Sequence, residues 1–154
     1  MRNSAIVWAA ALTLVFASTA SATIFLYEDF ETDAAGWQTV GQINGQSGSL
    51  WHRESHRSHS GSWSAAYNTG SPYYNYDVGT NWGLLASPWI DLSSASQVKL
   101  HFSSWLETEN EPMTYDVALF MFTVGGMVWV PLNPDIQTFT QGQWNNLTAD
   151  LSYL

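Results

Sequence analysis

The chain contains no cysteine, and only 4 of its 154 residues are lysine or arginine. The first absence excludes a disulfide framework and a thiolate metal site. The second stands against 13 acidic residues and a net charge of −9. That balance excludes an electrostatic nucleic-acid binder, which needs a basic face to replace phosphate counterions. No apolar run reaches the ~20 residues of a membrane-spanning helix. Helical periodicity is nearly missing too. The sequence has no His-Glu-x-x-His motif of a zinc peptidase and no Gly-x-Ser-x-Gly nucleophile elbow. With 11 % charged and 45 % hydrophobic residues, it is not a disordered acidic tail either.

What is present begins with an address. Arg2 precedes an uncharged apolar stretch, Ala5 to Phe16, and small residues follow up to Ala20-Ser21-Ala22. This order predicts a signal peptide over residues 1–22, cleaved after Ala22, and hence export to the cell exterior or cell surface. Residues 23–154 then form one domain with 3 basic residues and 13 acidic ones. Without a disulfide, its stability must come from burial or from a cation drawn to the carboxylates.

Short aromatic and β-branched runs alternate with Gly, Ser, Asn and Pro clusters, which predicts an all-β antiparallel sandwich or barrel. Thr23 to Glu31 reads as a first strand, closed by the turn Asp33 to Gly36. Gly45 to Gly48 reads as a loop, Leu50 to His52 as a short strand, and Ser62 to Tyr67 as another. Val98 to Trp105 alternates, with Val98, Leu100 and Phe102 on a buried face and Lys99, His101 and Ser103 opposite. Tyr115 to Val124 is more continuously apolar and is predicted to be a central strand buried on both faces. Gly125-Gly126 signals a two-residue hairpin, and Trp144 to Leu151 a last strand. Trp89, Trp105 and Trp129 are expected in the core.

Several motifs occur in a familiar order: Asp29-Phe30-Glu31 with Gly36-Trp37, then Trp51 and His59-Ser60-Gly61-Ser62. After them come Leu85-Ala86-Ser87-Pro88-Trp89-Ile90-Asp91-Leu92-Ser93, Leu100-His101-Phe102 and Tyr115-Asp116, and finally Gly125-Gly126, Trp129, Trp144 and Asp150-Leu151-Ser152. The series resembles the jelly-roll modules called MAM-like, choice-of-anchor J or cleaved-adhesin domains. Similar modules accompany immune-inhibitor-A-type metallopeptidases. The resemblance covers nearly all of residues 25–154 and implies a jelly-roll β-sandwich from a bacterial exported protein. It departs at the end, where the family continues with further strands. That departure leads to the expectation that the domain lacks its last strand in this sequence. The resemblance also implies a structural Ca²⁺ held by Glu31, the Ser60-Gly61 turn and an acid of that missing last strand; Asp29, two residues before Glu31, would share its face on a strand.

The remaining clusters are weighed on chemistry. His52, His56 and His59 could offer three imidazoles to a metal, but Arg53 and Arg57 lie between them and repel a dication. A solvated loop is the better reading. Glu107, Glu109 and Glu111 alternate as the acids of some retaining jelly-roll glycosidases do, yet strand neighbours at i, i+2 stand about 6.6 Å apart. A retaining pair wants about 5–5.5 Å, and Thr, Asn and Pro among these acids indicate an exposed loop without the burial that raises an acid's pKa. No catalytic residue is assigned. Tyr73, Tyr76 and Trp82, flanked by Asn and Asp, have the chemistry of a ligand platform: ring faces for the CH surface of a sugar, amides for its hydroxyls. Alternation would send Tyr74 and Tyr76 to one face. The expected function is a secreted, non-catalytic module for adhesion or for binding an extracellular glycan or protein. The alternatives are the N-terminal part of a larger extracellular hydrolase or surface-anchored protein, and a jelly-roll glycosidase.

Overall fold

A computed structural model describes residues 22–108, 116–132 and 140–153. The signal-peptide expectation lies outside these residues, apart from Ala22. Among the described residues there is no helix, and about 37 % are in strands, all paired antiparallel. The all-β expectation holds. The strands are β1 (Gln38–Ile43), β2 (Gln46–Ser47), β3 (Trp51–Glu54), β4 (Ser64–Tyr67), β5 (Asn81–Ala86), β6 (Lys99–Trp105), β7 (Met121–Val124), β8 (Val128–Pro131) and β9 (Trp144–Asp150).

They form four small sheets, ordered β2-β1-β5, β3-β4, β6-β9 and β7-β8. Asn44-Gly45 closes the β1-β2 hairpin with both residues at positive φ (52° and 79°), the backbone that a two-residue turn between twisted strands requires. What reads in sequence as a loop over 45–48 is therefore a turn and a returning strand. The β7-β8 hairpin pairs Val124 with Val128, so its loop is Gly125-Gly126-Met127, one residue longer than expected.

One predicted strand is absent and a second is cut short. Residues 23–31 are not a strand. Glu28 Oε1 accepts the Phe30 N–H (2.7 Å) and Asp29 Oδ1 accepts the Glu31 N–H (3.1 Å), while Phe30 sits at φ 60°. Side-chain acceptors placed two residues before the N–H compete with a ladder, and the acidic run turns the chain instead. The predicted 115–124 strand shrinks to β7, and Tyr115 lies outside the described residues. Val124 is 66 % exposed and Val128 also 66 %, so this hairpin is not a buried centre.

Packing relies on aromatic pairs rather than on a sealed core. Leu132 is the one buried hydrophobic residue among those described, and no large side chain is fully buried. Rings meet at Phe30–Trp37, Trp51–Tyr67, Phe102–Phe120, Trp105–Trp144 and Phe122–Tyr153, with centroids 4.5–6.0 Å apart. That spacing is the favourable range for tilted and edge-on contacts. Leu100 is 36 % exposed although alternation placed it inside, while Phe102 on the same face packs on Phe120. Trp89 and Trp129 are exposed, contrary to the core assignment; Trp105 is half-buried.

Both Asp-Leu-Ser motifs adopt one local structure. Asp91 Oδ1 accepts the Ser93 N–H and Asp150 Oδ1 accepts the Ser152 N–H, each at 2.9 Å. The backbone and hydroxyl of Ser93 hold the Asp91 carboxyl below its ordinary pKa, and Ser152 with nearby Lys99 does the same to Asp150. The second motif ends β9: Ser152 Oγ accepts the Val98 N–H (3.0 Å), and Leu151 N–H donates to the Val98 carbonyl (2.8 Å).

Candidate functional site

Register decides the two faces of the β1-β5 pair. Gln38↔Ala86, Val40↔Leu84 and Gln42↔Trp82 point one way; Thr39↔Leu85, Gly41↔Gly83 and Ile43↔Asn81 point the other. The second face is covered, because Trp51 and Tyr67 of the β3-β4 sheet lie against Gly83. Tyr67 Oη donates to Asn81 Oδ1 (2.6 Å), and burial pushes its phenol above the ordinary pKa. The first face is open. Val40 is 54 % and Trp82 50 % exposed, and the Trp82 indole N–H points at Gln42 Oε1, 3.4 Å away. No residue of this face carries charge.

One end of this sheet gathers the 73–80 segment. Asn44 N–H donates to the Thr80 carbonyl (2.7 Å), and Asn44 Nδ2 to the Val78 carbonyl (2.8 Å). Asn81 Nδ2 donates to the carbonyls of Tyr76 (3.0 Å) and Gly79 (2.7 Å). The loop carrying the candidate tyrosines is thus tied to the strand that carries Trp82. Tyr73 is 77 % exposed. Tyr76 is half-buried and donates its hydroxyl to Asp116 Oδ2 (3.0 Å), so it acts as a brace rather than as an open ring. Tyr74 and Tyr76 do not alternate on a strand: Tyr74 has φ 49° and stacks on His56 with centroids 3.8 Å apart. Gln42 and Asn44 were missed in the sequence reading. The Asn-Gly pair was a legible hairpin signal, whereas Gln42 becomes significant only through its register partner.

The acidic segment makes a second constellation. Glu31 Oε1 accepts the N–H groups of Ser62 (2.7 Å) and Trp63 (2.8 Å). Glu31 thus meets the chain just after the Ser60-Gly61 turn, through the main-chain N–H groups of Ser62 and Trp63. Asp29 turns away to cap the Glu31 N–H. The neighbouring carbonyls of Phe30 and Glu31 both accept from Arg53, the latter from Nη2 at 2.6 Å. The Arg53 guanidinium also lies 3.9 Å over the Trp63 ring. A Ca²⁺ ion needs six to eight oxygens. Here Glu31 Oε1 already accepts two main-chain N–H groups, and both loop carbonyls accept from the Arg53 guanidinium, whose charge repels a dication. This donor set does not fit the ion.

The three histidines diverge. His52 lies by the Leu50 carbonyl (2.8 Å) and Glu54 Oε2 (3.3 Å), His56 stacks on Tyr74, and His59 meets the Trp144 ring edge-on. Among the described residues no three His, Asp or Glu side chains are grouped to hold a metal ion. Glu107 is 63 % exposed, pairs with Arg57 Nη2 (3.5 Å), and accepts from the Trp105 indole (3.4 Å). Arg57 in turn lies 4.2 Å over Trp105. Glu109 and Glu111 lie outside the described residues. No described helix is long and apolar enough to cross a membrane.

The class these observations define is an all-β chain of small antiparallel sheets, with one uncharged face open at Trp82. No family model, curated protein or solved structure matches the chain.

Proposed function

We propose that the chain is a secreted, non-catalytic β-sandwich module of jelly-roll type that binds an extracellular ligand, with a neutral glycan as the class best suited to its open face. The supporting observation is Trp82, half exposed on the β1-β5 face with its indole N–H turned to Gln42. A flat ring offers a stacking surface, and the side chains of Gln38 and Gln42 offer the paired donors and acceptors that hydroxyl groups require. The absence of charge on this face suits a neutral ligand. Adhesion at a cell surface is the biological setting that the resemblance to choice-of-anchor J modules adds.

Trp82→Ala tests this reading. Screening the exported chain on a glycan array, followed by calorimetric titration of the best hit, should give a measurable affinity. Removal of the ring should weaken it about tenfold or more. Because half of the side chain is buried, the melting temperature should fall by a few degrees, and the two affinities are compared at a temperature where both chains are folded. An array and a protein-partner screen without any ligand would overturn the proposal, as would a hit indifferent to Trp82.

A further inference from the structure

We propose that Arg53 is a built-in cation: its guanidinium does for the 28–31 segment what a bound metal ion would otherwise do, and so makes the fold independent of calcium. The segment's carbonyls need donors, because its carboxylates are already taken up by main-chain N–H groups. The segment brings Glu28, Asp29 and Glu31 within four residues and leaves the carbonyls of Phe30 and Glu31 pointing at one place. A divalent ion is one answer to that arrangement, because it gathers carbonyl and carboxylate oxygens by charge. Arg53 is another. Its planar fork reaches both carbonyls at once, from Nε to Phe30 and from Nη2 to Glu31, across 22 or 23 residues of chain.

One further contact holds the guanidinium in place. Trp63 lies under it at 3.9 Å, a cation–π seat. The Trp63 N–H is also one of the two donors to Glu31 Oε1, so the residue that seats Arg53 anchors the carboxylate beside it. Arg53 is carried by β3 and Trp63 immediately precedes β4, and Arg53↔Ala65 pairing brings the two elements together. Built on the β3-β4 sheet, the clamp ties an otherwise strandless N-terminal segment to the fold. Phe30 packing on Trp37 continues that attachment toward β1.

Melting curves of the exported chain in excess CaCl₂ and in excess EDTA give the test. The unaltered chain should melt at the same temperature in both. Arg53→Gln keeps much of the side-chain volume but removes the charge and the fork; it should lower the melting temperature by about 5 °C or more. Arg53→Lys keeps the charge without the fork and should fall between the two. A rise of several degrees on adding Ca²⁺ to the unaltered chain would overturn the proposal, and so would an Arg53→Gln chain that melts with the parent. If Arg53→Gln does not fold, calcium titration of the unaltered chain and the Arg53→Lys curve decide the matter on their own.

Discussion

Single residues carry more than their sequence neighbourhood suggested. Arg53 and Arg57 read at first as charges that keep a metal away from the histidines, and the same electrostatic argument belongs at Glu31 instead. Each arginine sits over a tryptophan, and each reaches backbone or carboxylate oxygen. The sequence could not reveal this, because the partners lie far along the chain and a guanidinium's direction depends on the strand that bears it. Gly61 is the complementary case. It has φ 65°, and a Cβ there would stand 2.6 Å from Glu31 Cδ. Gly45 has φ 79° with open space around it. Gly45→Ala should thus cost about 1–2 kcal/mol from the backbone alone. Gly61→Ala should cost at least about 1 kcal/mol more, since Glu31 must leave two N–H donors unpaired. Urea unfolding of the two variants checks the difference.

Elements were legible where pattern and turn chemistry agreed. β6 and β9 were read within one residue of their observed starts, because alternation and a flanking turn both mark them. The first strand was misjudged because a carboxylate two residues before an N–H makes a turn of its own, which a hydropathy pattern does not register. The Asp-Leu-Ser turns obey the same chemistry and lead to an acid-side prediction. Their carboxyls titrate below the ordinary value in the folded chain, so their contribution is present above about pH 4 and is lost as pH falls through the depressed values. Replacing Asp91 and Asp150 together by Asn keeps an oxygen acceptor for each serine N–H but removes the titration. Melting curves between neutral and strongly acid pH should show a shallower acid-side decline for the double variant than for the parent.

At the scale of the molecule, charge and ring placement set the surface. Three lysine and arginine side chains lie among the described residues: Arg53 and Arg57 are engaged as described, and Lys99 lies near Asp150. No described patch is left to attract a polyanion. Heparin-column and DNA-shift measurements near neutral pH should therefore show no retention, and binding by either would show that a cation had left its seat. The sequence by itself determined the strand-rich class, the acidic surface and the rejection of several catalytic motifs, since these follow from composition and short-range spacing. Only the tertiary structure decided which tryptophans are exposed, which face of β1-β5 is open, and which cation meets the acidic segment. Those outcomes depend on strand register and on contacts across tens of residues, where a shift of one position turns every side chain to the opposite face.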